Sequence, residues 1–395
     1  MRTEPDSGRA WLVLLSATFC YGLTIGINSS YGIYFVTFSQ YFKTSRQQAA
    51  FVASVMYGLM SGTGPLSSAC YQRFGPRKTV MFGGFLTWLG YLLCFFAPSI
   101  TAVVGCHAVI GMGFGLSFIA IVSVLNEYFT KHRHLALGFV SIGAGIGVFT
   151  FPPVFSLFIE TFGWRGSMLI NAGITSQIIV LGAIMRPNQE RRPKPLKEIF
   201  NFALFSNDFR FPLFLVSCFC WGAAGNTYYQ LTNALAIDHG IRKSDTAWIV
   251  SVCGVSDIVG RSLCTLINSF KWSNKFLIYS IAAFLVSCAV FLNSLAYDLH
   301  FFYGAAALFG FGFGSQIASY AVSTYQLFGI ENFPSAQGFA QMCSGFGGLL
   351  GPVCAAKLAD LHDLNTAFRF GSGVGYFGVV CCSIILIDAC ARYLS

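Results

Sequence analysis

Two oppositely charged residues, Asp257 and Arg261, stand four positions apart within a long apolar stretch. Residues four apart share one face of a helix, so the two side chains are expected to pair. A charge at the middle of a membrane costs about 2.5–3.5 kcal/mol on insertion scales, and such residues mark functional sites by default. Arginine presents a planar fork of donors that matches a carboxylate. We therefore interpret Arg261 as a binding group for an organic anion.

Asp257 gives the pair a second function, which is the handling of a proton. An ionised Asp257 neutralises Arg261, whereas a protonated Asp257 leaves the guanidinium available to a substrate carboxylate. A proton and a monoanion that cross together carry no net charge. The alternative is a structural ion pair that only fixes helix packing. The proton is thus a co-substrate in one interpretation and has no part in the other.

Further polar residues interrupt the apolar stretches. Asn28, Ser29 and Ser30 follow one another in the first stretch, where they either face a cavity or hydrogen-bond to a neighbouring helix. His107 is either a proton relay or a residue near the membrane interface with a local hydrogen bond. The stretches contain no His, Asp and Glu cluster with ligand spacing, so we expect no metal, no cofactor and no enzymatic activity.

The composition requires these apolar stretches to lie in a membrane. The chain of 395 residues is 55% hydrophobic and 10% charged, whereas soluble domains are about 25% charged. This excludes a soluble enzyme, a disordered chain and a nucleic-acid binder, and it makes the lipid bilayer the chain's surroundings. About 20 apolar residues span a bilayer. Twelve stretches qualify: 10–38, 48–71, 79–97, 101–124, 135–158, 165–185, 211–237, 245–268, 276–295, 299–323, 334–357 and 365–390.

A polar, proline-containing segment divides the twelve spans into two sets of six. We expect an N-terminal six-helix bundle over residues 1–185, a cytoplasmic linker over 186–210 and a C-terminal six-helix bundle over 211–395. Sixteen of the 24 Lys and Arg residues fall on the side that holds both termini, and seven on the other side. The positive-inside rule therefore places both termini in the cytoplasm. The predicted fold class is an all-α polytopic membrane protein.

Three glycine runs of the form Gly-x-Gly-x-Gly fall inside the apolar spans, at 111–115, 143–147 and 310–314. A dinucleotide-binding loop would need a strand before such a run and a helix after it. Small residues inside a membrane span instead let helices approach closely. We predict helix contacts at these three runs.

The sequence resembles the monocarboxylate transporter family of the major facilitator superfamily over essentially its whole length. Its first span opens with Asp6, Gly8 and Trp11, which match one family signature. A second signature precedes and enters the fifth span, where nine of twelve fixed positions match: Tyr128, Phe129, Lys131, Arg133, Leu135, Ala136, Gly138, Gly143 and Gly147.

This resemblance implies a major facilitator fold, in which two six-helix bundles enclose a central cavity and rock to expose it alternately. It implies that Asp257 and Arg261 are the coupling and substrate-binding pair. It also implies a place in the plasma membrane and, for some members, a single-span ancillary glycoprotein as partner.

Four charged residues match or adjoin the family blocks at helix ends on the predicted cytoplasmic side: Arg73, Glu127, Lys131 and Arg133. They either form ion pairs between helices that hold one conformational state closed, or serve the positive-inside topology.

One departure from the family pattern bears on the substrate. The proton-coupled lactate and pyruvate carriers have a lysine midway along the first span, where this sequence has Ser29. Members without that lysine include facilitators of aromatic amino acids and thyroid hormones. We therefore expect a plasma-membrane secondary transporter of small monocarboxylates such as lactate or pyruvate, proton-coupled through Asp257 and Arg261. The alternative is a proton-independent facilitator of aromatic amino acids or other larger solutes.

Overall fold

A computed structural model describes residues 7–129, 133–186, 208–270 and 273–394, and these are almost entirely helical. We number the helical elements in chain order: α1 (Gly8–Ser29), α2 (Tyr31–Phe42), α3 (Arg46–Gly62), α4 (Gly64–Phe95), α5 (Ile100–Tyr128), α6 (Arg133–Ile184), α7 (Arg210–Asp238), α8 (Lys243–Ser269), α9 (Lys275–Asn293), α10 (Leu299–Leu361) and α11 (Leu364–Leu394).

Three of these elements, α4, α6 and α10, each pass from one membrane span into the next through a single glycine. Gly75, Gly163 and Gly329 have φ angles of 82°, 67° and 73°, a left-handed region that glycine adopts without strain. The chain reverses at Gly75, because residues before and after this glycine contact adjacent positions of α5. Ser67 donates to Leu116 O at 2.7 Å, and Val80 O lies 3.4 Å from the hydroxyl of Ser117.

Two other spans are each made of two elements. The first joins α1 to α2 at Ser30, and the second joins α3 to the first part of α4 at Thr63. With these junctions and the three glycines, the described residues form twelve spans, as the sequence predicts. The predicted linker lies mostly outside the described residues, so the division into 1–185, 186–210 and 211–395 stays a prediction.

Nine stretches of the described residues are long and apolar enough to cross a membrane. Helix α7 is less apolar because it carries Asn226, Gln230 and Asn233, all of which are buried against other helices. The outer surface instead exposes large apolar side chains; Phe19 and Ile387, for example, are more than half exposed. An apolar exterior with polar groups turned inward fits lipid as the surrounding solvent.

Two sets of helices pack mainly within themselves. In the N-terminal set, α1 contacts α6, while α4 contacts α5 and α6; in the C-terminal set, α7, α8, α9 and α11 surround α10. The sets meet where α3 contacts α10, α6 contacts α8 and α2 contacts α7. The contacts between the sets described below run from the middle of the bundle to the end that holds residues 43–45, 239–242 and 362–363. We call this the closed end; the predicted topology places it outside the cell.

The glycine runs lie at close helix contacts, as predicted. A Cβ on Gly111 or Gly115 would overlap the backbone of Met56 or Met60 on α3, while a Cβ on Gly113 would overlap α4. Alternate glycines of one run therefore make room for two different neighbouring helices.

The same arrangement yields a prediction for α6. A Cβ on Gly147 would lie 3.0–3.1 Å from backbone atoms of Gly22 and Gly26 on α1, and still closer to the Gly22 carbonyl oxygen. We expect Gly147→Ala to cost about 1–3 kcal/mol by overpacking. The melting temperature of the purified protein measures this loss. Gly173→Ala, on the same element but with no atom within 4 Å of the added Cβ, is the matched control and should melt like the original protein.

Candidate functional site

The ion pair expected from the spacing of Asp257 and Arg261 is present on α8. Arg261 Nε donates to Asp257 Oδ2 at 2.6 Å, and the two side chains are 4% and 1% exposed, in the order Arg261 and Asp257. One helical turn separates the residues, so both groups project from the same face of α8. Deep burial makes the pair mutually dependent, because either charge alone would be costly between the helices.

The pair uses only part of its hydrogen-bonding capacity. Asp257 Oδ1 and Arg261 Nη1 are buried, and neither has a hydrogen-bond partner among the described residues. An unsatisfied buried polar atom costs about 1–3 kcal/mol. The arrangement therefore keeps one acceptor and one donor available beside the bond that joins the two residues.

Two tyrosines, one from each half of the molecule, lie beside this pair. Tyr21 on α1 and Tyr229 on α7 lie close enough to interact electrostatically with Arg261. Tyr21 stacks on Phe118 with ring centroids 5.1 Å apart, and Tyr229 packs edge-on against Phe313 at 5.5 Å. The pair therefore lies between the halves, where a change in their relative position would reach it.

Two glycines make room for Asp257 and the residue that follows it. A Cβ on Gly145 of α6 would lie 3.4 Å from Asp257 Oδ2 and would overlap the side chain of Ile258. A Cβ on Gly314 of α10 would lie 2.9 Å from Asp257 Oδ1 and would overlap its carbonyl oxygen. The glycine run at 310–314 thus leaves the space that the carboxylate occupies, whereas the run at 143–147 leaves space for Ile258.

The polar residues of the first span lie at the junction between α1 and α2. Ser30 is fully buried, and its hydroxyl donates to the Gly26 carbonyl of the same span at 2.7 Å. Ser29 is 8% exposed and Asn28 is half-buried. The geometry brings none of the three into a described hydrogen bond with Asp257 or Arg261, and their role in substrate binding stays a prediction.

The predicted cytoplasmic gate is described only in part. Glu127 on α5 accepts a hydrogen bond from the Tyr71 hydroxyl at 2.6 Å, which links α5 to the first part of α4. Arg73 is exposed, with its guanidinium carbon 5.7 Å from the ring centroid of Phe74. Lys131 and the side chain of Arg133 lie outside the described residues.

His107 is fully buried within the N-terminal half, so its ring faces other helices and does not face the membrane interface as expected. Its local hydrogen bonding is confirmed. The Nε2 atom lies 2.6 Å from the Tyr31 hydroxyl and Nδ1 lies 2.7 Å from Val103 O. These contacts join α2 to α5 and fix the outer part of the first span.

Sequence reasoning missed the aromatic and glycine neighbours of the ion pair. Tyr21 and Tyr229 are two of 17 tyrosines, and neither has a charge or a motif that distinguishes it. Gly145 and Gly314 belong to runs for which helix contact is predicted, but the runs do not reveal which side chain stands opposite. The register between α8 and its neighbours decides this, and it depends on the packed structure.

Twelve spans in two sets, with a buried ion pair between them, define a membrane transporter. Residues 14–352 match the Major Facilitator Superfamily, and the chain belongs to this superfamily. The solved structure of a point mutant of the nucleoside transporter NupG has the same fold, with a TM-score of 0.77 over 94% of this chain and 99% of that chain at 14% identity.

Curated relatives share the family resemblance seen in the sequence. The chain is 26% identical to monocarboxylate transporter 4 of Gallus gallus, over 90% of this chain and 78% of the relative. It is 28% identical to monocarboxylate transporter 13 of Rattus norvegicus, over 93% and 86%. It is 27% identical to monocarboxylate transporter 12 of Xenopus laevis, over 98% and 89%. The chain is thus a multi-pass membrane transporter similar to monocarboxylate transporters, and its relatives are transporters rather than enzymes.

The contact between Gly314 and Asp257 yields a prediction. We expect Gly314→Ala to reduce solute uptake by about tenfold, because a small displacement of a reacting or binding group is enough to produce such losses. Gly304→Ala on the same element meets no atom within 4 Å and should transport normally. Uptake is normalised to surface protein, so normal uptake by Gly314→Ala would contradict a functional placement of Asp257.

Proposed function

We propose that this protein moves small monocarboxylates across the plasma membrane by alternating access, with Arg261 as the carboxylate-binding group. The observation that carries the proposal is the buried, unpartnered Nη1 of Arg261 beside the unpartnered Oδ1 of Asp257, among the described residues. A carboxylate that approaches Arg261 Nη1 meets a charge-assisted donor. Its second oxygen then stands next to a carboxylate oxygen of the same sign.

That repulsion explains why a proton would accompany the substrate. A substrate carboxylate with ionised Asp257 and Arg261 leaves a net negative charge in a buried site, which is costly. A proton between Asp257 Oδ1 and the substrate oxygen removes this charge and supplies the missing hydrogen bond. The site is then neutral when empty, as an ion pair, and neutral when it holds both proton and substrate. Neutral states at both stages favour coupled movement.

Further groups are proposed to contact the substrate, to close the cytoplasmic end and to bring the protein to the membrane. Asn28, Ser29 and Ser30 stand at the junction of α1 and α2, where movement of either helix would turn them towards the substrate. Arg73, Glu127, Lys131 and Arg133 are proposed to hold the cytoplasmic end shut in the opposite conformation. A single-span ancillary glycoprotein, as some family members need, would bring the transporter to the plasma membrane.

A second candidate is a proton-independent facilitator of aromatic amino acids or other larger solutes. Two observations favour it: Ser29 occupies the place of the lysine found in lactate carriers, and two tyrosines lie beside the ion pair. The rings of Tyr21 and Tyr229 beside Arg261 would provide aromatic contacts for a flat solute.

Substitution of Arg261 tests the binding group. Arg261→Lys keeps the charge but removes the planar fork, so we expect uptake to fall by about ten- to a hundredfold, the equivalent of a lost hydrogen bond to a charged group. Arg242→Lys, an exposed position at the closed end, is the control. Normal uptake by Arg261→Lys, at equal surface expression, would remove Arg261 from the proposed site.

A pH step across proteoliposomes separates the two candidates. Inward proton gradients should accelerate uptake of radiolabelled lactate or pyruvate by the original protein. Asp257→Asn, which imitates the protonated acid, should keep exchange of substrate but lose acceleration by the gradient. Uptake of lactate that ignores the gradient would refute the coupled mechanism. Gradient-independent uptake of tryptophan would instead establish the facilitator.

A further inference from the structure

The start of α3 is capped by a residue of the opposite half. Ser45 accepts a hydrogen bond from Gln48 N at 3.2 Å, which is an ordinary cap within the chain. The two preceding amides, those of Arg46 and Gln47, donate to the two carboxylate oxygens of Asp360 at 3.0 Å each. Asp360 lies near the end of α10, in the C-terminal half, so two of the otherwise unpaired amides of this helix are satisfied across the interface.

The side chain of Arg46 makes a second connection in the same place. Its Nη2 donates to Asp238 Oδ2 at 2.8 Å, and its Nη1 donates to the carbonyl oxygen of Ala359 at 3.2 Å. Asp238 is the last residue of α7, whereas Ala359 lies in the last turn of α10. One residue of the N-terminal half thus binds the ends of two helices of the C-terminal half.

Helix polarity reinforces this arrangement. The N-terminus of α3 carries a partial positive charge and faces the carboxylate of Asp360. The C-termini of α7 and α10 carry partial negative charges and face the guanidinium of Arg46. Arg46, Asp238 and Asp360 each stand at the like-signed end of their own helix, so the opposite charges that balance them come from the other half of the molecule.

We propose that Arg46, Asp238 and Asp360 form a latch that holds the closed end shut, and that its release is the step that opens this end to the substrate. This goes beyond the identity of the substrate and beyond proton coupling. Alternating access requires the halves to separate at each end in turn. The latch contacts must therefore break in every cycle, and their strength sets how often the closed end opens.

A buried contact behind the latch provides the means to observe opening. Ser54 on α3 is fully buried and lies 3.3 Å from Gln230 on α7, so its side chain stands directly between the halves. Opening at the closed end would expose it. Ser167 is also fully buried but bonds to Tyr34 within the N-terminal half, away from this interface.

The test measures the rate at which a membrane-impermeant thiol reagent, added on the side of the closed end without any transported solute, labels a reporter cysteine. Ser54→Cys reports opening and Ser167→Cys reports unfolding; peptide mass spectrometry separates both from the native cysteines. Each reporter is combined with Asp360→Asn, with Asp238→Asn, or with Asp245→Asn. The last variant breaks an exposed pair with Arg242 inside one half and is the matched control.

We expect Asp360→Asn to accelerate labelling of residue 54 about fivefold, because the new amide nitrogen cannot accept the second backbone N–H bond and the charge that faces the helix N-terminus is lost. Asp238→Asn should accelerate it about twofold, as for an exposed ion pair. Asp245→Asn should leave it unchanged, and residue 167 should stay unlabelled throughout. Equal labelling of residue 54 in all variants would overturn the latch. Faster labelling at both 54 and 167 would also overturn it, since Asp360 would then support the fold and not the closure.

Discussion

A buried charge between two groups of helices is tolerated only when another charge balances it, and this constraint governs the arrangement around Asp257 and Arg261. The two residues neutralise one another through a single bond of 2.6 Å. Any group that approaches the pair must keep the net charge of the buried site close to zero. Gly145 and Gly314 bring α6 and α10 close enough to exclude bulk water, while tyrosines from α1 and α7 place polar hydroxyls and apolar ring faces around it. A solute that carries one negative charge fits this surrounding only with a compensating positive charge.

Sequence and structure agree where a residue's neighbours lie on the same helix. They also agree on the number of spans, which depends only on the length of the apolar stretches. Twelve spans follow from apolar length, and the pair on α8 follows from a four-residue spacing. The glycine runs reveal close packing for the same reason, because a missing side chain implies a near neighbour. His107 shows the limit: its polar ring suggests an orientation towards the membrane interface, yet Tyr31 and the Val103 carbonyl contact both ring nitrogens within the helical bundle.

Residues far apart in the sequence account for what could not be predicted. Arg46 and Asp360 are separated by 314 positions. From the sequence alone, Arg46 is only one of the basic residues counted on one side of the membrane. The two tyrosines beside Arg261 and the phenylalanines packed against them likewise come from four different elements. Neither group has a local pattern, because its members are brought together by the packing of the halves. The ion pair at the centre and the charged group at the closed end are therefore complementary: the first can be predicted from one helix, and the second exists only between two halves.

The single-glycine junctions at Gly75, Gly163 and Gly329 limit how the helices can move relative to one another. A flexible loop would let one span slide while its neighbour stayed still, but a one-residue reversal has no slack. The spans on either side of each junction must travel together as stiff hairpins. A rearrangement of the helices would therefore involve a few rigid hairpins. A displacement of one end of a hairpin would also displace its other end. The tight turns at these three glycines therefore couple the movements of the spans that they join.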